Sequence, residues 1–169
     1  MPNLTMVMDD GRRQPLSQLW KERPVILLTG SVTCTVSRAR IPDAASLARK
    51  YGDQVSVAVL YTLEAHPSGD PSPYRDSREW QLPLNVQEGI LRKQPHTLEE
   101  RDHLADELKE RLGLSLPVVL DEMNNRGWTT IGGGPNMAVL VDRNGVVQAK
   151  QAWFDAEEMQ EEIQDFLSL

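Results

Sequence analysis

Two short runs, "PVILLTG" (Pro24 to Gly30) and "QVSVAVLY" (Gln54 to Tyr61), constrain the fold more than any other feature of the chain. Both are largely apolar and rich in β-branched residues, as expected of strands buried on both faces of a mostly parallel sheet. Between them Ala44, Leu47, Ala48 and Tyr51 recur at helical spacing, and Gly52 offers a stop. A right-handed crossover then makes 25–30 and 55–61 parallel neighbours. "LPVVLDEM" reads as a third buried strand, and "NMAVLVDRNGVVQAKQ" as a hairpin with a tight Asn144-Gly145 turn. Upstream, "LTMVMDDGRRQPLS" reads as a hairpin turning at Asp10-Gly11, and Ser17 as the cap of a short helix, "QLWKER", ended by Pro24.

Two further helices complete the pattern. "TLEE" is a capping box with Thr97 as N-cap and Glu100 three residues on; the helix turns Leu98, Leu104, Leu108 and Leu112 inward and ends at Gly113. "DAEEMQEEIQDFLSL" is amphipathic, capped by Asp155, with Met159, Ile163, Phe166 and Leu167 on one face. Residues 63–96, rich in Pro, Ser, Gly and Asp, form a loop too long for an ordinary connection, and "NNRGWTTIGGGP" forms a second loop. This order predicts a thioredoxin-like three-layer α/β/α sandwich: a single domain over 1–169, a mixed central sheet, an N-terminal hairpin and short helix over 1–23, and an active-site loop insertion at 63–96.

Composition narrows the function. The 169 residues carry 40% hydrophobic and 25% charged side chains and a net charge of −7, so one domain with a real core is expected, and neither nucleic acid nor an anionic membrane surface is an expected partner. No run reaches the length of a membrane span, and the N-terminus lacks the apolar core of a signal peptide. A single cysteine forms no internal disulfide, so the reading is cytoplasmic, with a reduced thiol.

That cysteine lies in "TGSVTCTVSR", at the carboxyl end of the first buried strand and the start of a helix. Open α/β sheets place their sites there, and a helix N-terminus lowers a thiol's pKa. Ser31, Thr33, Thr35 and Ser37 surround Cys34 with hydroxyls. These neighbours favour a nucleophile, partly exposed and with a depressed pKa, over a cysteine packed as a small hydrophobe. In "CTVS" a serine stands where a dithiol motif has its second sulfur, so any oxidised Cys34 needs an external thiol. A peroxide-reducing pattern, P-x-x-x-[TS]-x-x-C, is half met: Ser31 fits and Leu27 takes the proline position.

His66, just past the second strand, is the matching proton-transfer candidate, with Glu64 to orient it or raise its pKa. His103 reads as solvated, and His96 precedes the capping box. No histidine or cysteine spacing supports a metal site. "GGGP" precedes a strand and so makes a poor phosphate cradle; Pro135 instead fits the position where thioredoxin folds carry a cis-proline beside the cysteine. Trp80 and Trp128 read either as cleft walls or as small satellite cores.

From about Pro24 onward the sequence resembles the iodothyronine deiodinases and their bacterial deiodinase-like relatives. "GSVTC" matches the segment "GS-x-T" leading into selenocysteine, with Cys34 in its place. "YTLEAHPS" (Tyr61 to Ser68) matches "Y-x-x-EAHPS", "PHTLEER" resembles "QH-x-[ST]-LE-x-R", "VVLDEMNN" resembles "[VL]VLD-x-M-x-N", and "GPNMAVLV" resembles "LPERLYVI". The resemblance implies that Cys34 is the nucleophile, Ser31 and Thr33 are its hydroxyl neighbours, Tyr61, Glu64 and His66 relay protons and contact substrate, and His96 lies in the substrate cleft. The departures are specific. Cysteine replaces selenocysteine, Thr35 and Val36 replace two prolines, Met137 replaces an arginine suited to a substrate carboxylate, and a hairpin stands in place of a membrane-anchoring helix.

The expected function is therefore a thiol-dependent oxidoreductase. Cys34 attacks a halogenated aromatic, a peroxide or a disulfide, and glutathione or thioredoxin acts as external reductant, with no bound cofactor or metal. Its partners are a small-molecule substrate and that thiol; a homodimer is allowed. The alternative is a thioredoxin-fold module that binds a ligand without catalysis.

Overall fold

The structure, a computed structural model, describes every residue except Asn3, Asp9, Asp10, Ser77 and Leu169. Seven strands build one sheet: β1 (Thr5–Val7), β2 (Arg13–Pro15), β3 (Val25–Gly30), β4 (Ser56–Tyr61), β5 (Val118–Leu120), β6 (Ala138–Val141) and β7 (Val147–Gln151). Their order is β2-β1-β5-β4-β3-β6-β7. β3 and β4 pair in parallel from Val25–Ser56 to Gly30–Tyr61, and β4 pairs in parallel with β5. The outer pairings are antiparallel, so the sheet is mixed. The helices are α1 (Thr35–Tyr51), α2 (Pro83–Gln87), α3 (Leu98–Leu112), α4 (Arg126–Ile131) and α5 (Ala156–Leu167), with a 3₁₀ turn at Leu16–Leu19.

Every residue of β3 is buried, and successive side chains serve opposite faces. Ile26 and Leu28 join the cluster that holds Ile41 and Leu47 of α1, Leu108 of α3 and Met159 and Ile163 of α5. Val25 and Leu27 join a second cluster, closed by Leu4, Met6, Leu16, Trp20 and Ile131. The sandwich is thus unequal. Three long helices cover one face; the N-terminal segment, the 3₁₀ turn and α4 cover the other.

Local chemistry explains most boundaries. Glu100 N–H donates to Thr97 Oγ1 at 3.1 Å and Thr97 N–H to Glu100 Oε2 at 3.2 Å, closing the capping box. Gly113 ends α3 in the left-handed conformation, and Asp155 accepts the first amides of α5. On α3 the deepest positions are Arg101, Ala105 and Leu108, with Leu98, Leu104 and Leu112 packed against the core edge.

Three details depart from the sequence reading, and a fourth is not described. The short helix near the N-terminus starts at Leu16, so Ser17 lies inside the turn and does not precede it. The turn expected at Asp10-Gly11 falls largely outside the described residues. The β6–β7 turn runs from Asp142 to Gly145, with only Gly145 at positive φ (+79°), and the Asp142 carboxylate accepts the N–H groups of Asn144 and Val146. Both loops also contain helix. α2 starts on Pro83, which suits a first turn. The amides opening α4 at Gly127 and Trp128 donate to Asp121, at the end of β5, at 2.9 and 2.7 Å. That cap comes from outside the helix's own sequence, so no local signal announces it.

Candidate active site

β3 delivers the cysteine. At its last residue a Cβ on Gly30 would stand 2.9 Å from Ile41 Cδ1, so the absence of a side chain lets the strand end press against α1. The chain then turns, with Cys34 N–H donating to the Ser31 carbonyl at 3.2 Å. Cys34 is the N-cap of α1 and its Sγ accepts the Ser37 N–H at 3.4 Å. The thiol is only 2% exposed, not partly open as its position suggests. Burial pushes its pKa up, against the lowering effect of the Ser37 hydroxyl and the Ser37 and Val36 amides. The helix N-terminus supplies the expected hydrogen bond, but desolvation decides the direction.

Behind the cysteine lies a buried carboxyl. Glu64 is fully buried; its Oε2 accepts the Thr33 N–H at 2.9 Å and the Thr33 hydroxyl at 2.6 Å, and its Oε1 accepts the Tyr61 hydroxyl. Tyr61 in turn accepts the Val32 N–H at 3.0 Å, and Thr33 Oγ1 accepts the His66 N–H at 3.1 Å. Ser31 Oγ accepts the Ala65 N–H at 3.3 Å. Burial raises the Glu64 pKa, and the bonds from Thr33 and Tyr61 oppose the rise. The network ties the turn before the cysteine to the "EAH" segment after β4, as parallel pairing of β3 and β4 requires.

The His66 side chain goes elsewhere. Its Nδ1 lies 3.1 Å from the Trp80 carbonyl, and its ring meets the Trp80 ring edge-on at 4.4 Å between centroids. A carbonyl only accepts, so Nδ1 carries the hydrogen and Nε2 keeps a lone pair. Burial lowers the His66 pKa, partly offset by the Trp80 carbonyl. The orienting partner is therefore Trp80; Glu64 is committed to Thr33 and Tyr61.

Cys34 and His66 line one cavity of about 400 Å³, walled also by Thr35, Val36, Ala65, Tyr74, Trp80, Leu82, Pro135 and Trp153. The loop at 63–96 supplies five of these walls: Ala65, His66, Tyr74, Trp80 and Leu82. Trp153 is 54% exposed. Pro135 stands beside the cysteine, its carbonyl accepting the Ser37 hydroxyl at 2.9 Å. Its peptide bond is trans, since no cis bond occurs among the described residues; trans is the ordinary preference even before proline.

His96 is not part of this cavity. It is exposed, its N–H donates to Glu100 Oε2 at 2.6 Å as part of the helix start, and it lines a separate cavity with His103. Met137 is buried in the second core cluster.

Several supporting residues escaped the sequence reading. Gln94 clasps the Glu64 backbone, accepting its N–H at 3.0 Å and donating to its carbonyl at 2.7 Å. Asn85 of α2 donates to the Thr33 carbonyl at 2.8 Å and accepts Arg38 Nη2 at 2.9 Å. Arg101 is fully buried and donates to the Asp121 and Glu122 carbonyls and to Asn125 Oδ1, which fixes the loop after β5. Only Arg101 carried a signal, a charged residue on the apolar stripe of α3.

Among the described residues, no group of His, Cys, Asp and Glu has the arrangement of a metal site, and no helix is long and apolar enough to cross a membrane. The fold is shared with solved thioredoxin-like structures. A thioredoxin-like protein from Aeropyrum pernix aligns with a TM-score of 0.64 at 14% identity, over 96% of this chain and 89% of that one. A secreted disulfide oxidoreductase from Mycobacterium tuberculosis gives 0.61 at 10% identity, over 96% of each. The pneumococcal exposed lipoprotein thioredoxin from Streptococcus pneumoniae gives 0.59 at 16% identity, over 97% of this chain and 99% of that one. No curated protein matches the sequence. Residues 1–164 match the model of the iodothyronine deiodinases, and the chain belongs to that family.

Proposed function

We propose that the protein is a thiol-dependent reductase of halogen-bearing aromatic compounds, with Cys34 as nucleophile and an external thiol such as glutathione or thioredoxin as reductant. Family membership supports thiol-dependent redox chemistry. The observation that carries the substrate class is the cavity itself, apolar and walled by His66, Tyr74, Trp80 and Trp153 with Cys34 among its lining residues. A flat ring fits such walls; hydrogen peroxide needs none of them.

The neutral thiol must lose its proton to react. His66 supports that step, because its lowered pKa leaves it neutral near pH 7 with Nε2 free to accept. The thiolate takes the halogen, the carbon–halogen electron pair stays on the ring carbon, and that carbon takes the proton from His66. Cys34 is left as a sulfenyl halide. An external thiol attacks its sulfur, expelling halide and a proton and forming a mixed disulfide. A second thiol releases Cys34 and leaves as the disulfide. Two thiols are oxidised for each carbon–halogen bond converted to carbon–hydrogen. Glu64, Tyr61, Thr33 and Ser31 hold the turn that aims Cys34. The cytoplasm, with its reduced thiol pool, is the compartment this proposal requires.

A second reading, a ligand-binding module without catalysis, is favoured by the burial of the thiol and its raised pKa. Iodide release from an iodinated phenol in the presence of a small thiol separates the two. Release that Cys34→Ser abolishes supports the reductase. Binding of the phenol with no release supports the module, and consumption of peroxide alone supports a one-cysteine peroxidase.

A further inference from the structure

We infer that the Cys34 cavity selects uncharged aromatic ligands, with the Tyr74 hydroxyl donating to a polar substituent on the ring. The inference rests on the reading of this cavity as the substrate site. Among the described residues, no lysine, arginine, aspartate or glutamate lines it. The charged groups around it have partners of their own. Arg38 is bound to the Val32 carbonyl, Asn85 and Glu88; the Arg75 guanidinium lies over the Trp80 ring, 5.5 Å from its centroid; Glu64 is held by Thr33 and Tyr61. An anionic ligand would exchange water for apolar walls and a neutral imidazole, with no cationic side chain among the described lining residues to pair with it.

Tyr74 is the polar exception. Its hydroxyl oxygen accepts the Trp128 indole N–H at 2.8 Å, and their rings meet edge-on at 6.0 Å between centroids. No described residue accepts the Tyr74 O–H itself, and burial raises its pKa so that the proton stays on. Tyr74 lines the cavity and its hydroxyl hydrogen has no acceptor among the described residues, which leaves one donor for a ligand. Trp128 thus acts through Tyr74 as a positioning residue.

The test compares 3-iodobenzyl alcohol with 3-iodobenzoate, nearly equal in shape and different in charge. Binding is read as quenching of tryptophan fluorescence in the full-length Cys34→Ser protein, which removes turnover. The alcohol is expected to bind at least about tenfold more tightly than the benzoate. Tyr74→Phe should weaken the alcohol by about three- to tenfold, the worth of one hydrogen bond, without altering the circular dichroism. Leu82→Arg, which puts a cation on the wall, should reverse the preference. Equal or tighter binding of benzoate, an unchanged affinity in Tyr74→Phe, or no binding of either compound overturns the inference. If the variant protein binds the alcohol but the wild type releases no iodide from it, the proposed reaction fails and the ligand preference stands.

Discussion

Two cavities of similar size, about 400 Å³ beside Cys34 and about 360 Å³ beside His96, contain the histidines that a family resemblance would assign to one site. The first is walled in part by the 63–96 loop, holds a buried thiol and a buried neutral imidazole, and has no charged side chain among its described lining residues. The second is framed by Arg92, Lys93, Glu100 and Glu107; Arg92 Nε pairs with Glu107 at 2.7 Å, and Arg111 with the same carboxylate at 2.6 Å. The same side chain therefore meets uncharged walls in one cavity and walls of mixed charge in the other. Proton transfer to or from the sulfur depends on where the base stands, and of the two histidines only His66 lines the cavity that holds Cys34.

The comparison can be broken most sharply at the cysteine. Cys34→Ser should lower iodide release by on the order of 10³-fold or more, with an unchanged thermal midpoint, because the swap is nearly isosteric. Next come the histidines. His66→Ala should cost about 10²- to 10⁴-fold in kcat/KM, as expected for loss of a general base, whereas His96→Ala should stay within about twofold. Equal losses would merge the two cavities into one functional unit. The acid limb of kcat/KM for the wild type should fall below the ordinary histidine value of about 6.5, because burial lowers the His66 pKa and activity requires its neutral form.

Glu64 makes a different, smaller prediction. Its folded pKa is raised above the unfolded value, so the folded state holds more protons just above that value. Stability must then decline as pH rises from about 4.3 toward the folded pKa. Glu64→Gln should remove this decline, seen as a flatter plot of the urea midpoint against pH. The smallest effect belongs to the start of α3, whose Glu100 lines the other cavity. Thr97→Ala should cost about 1 kcal/mol of stability through the lost cap and leave iodide release intact.

What could be read from the sequence depended on the distance over which each cause acts. The Thr97–Glu100 box, the Asp155 cap and the strand–Cys34–helix junction are local, and their residues carry the whole signal. The parallel pairing of β3 and β4 follows from a general rule of chain handedness. The cavity beside Cys34 has no local cause, because Tyr74, Trp80, Leu82, Pro135 and Trp153 reach it from distant segments. For the same reason the junction suggested a depressed thiol pKa while the assembled cavity raises it. His66 was placed on the correct edge of the sheet, but its partner, the Trp80 carbonyl, is a backbone group that no residue pattern reveals. α4 was missed because its N-terminal amides are capped by Asp121.

The central claim is that Cys34, buried as it is, takes a halogen from a bound ring. Intact-mass measurement tests it most directly: wild-type protein is mixed with an excess of 3-iodobenzyl alcohol, then given one equivalent of a small thiol. The account predicts one added thiol per chain as a mixed disulfide on Cys34, with benzyl alcohol and iodide formed in matching amount. Recovery of unmodified protein and intact iodo compound, under conditions where fluorescence shows the cavity occupied, would contradict it.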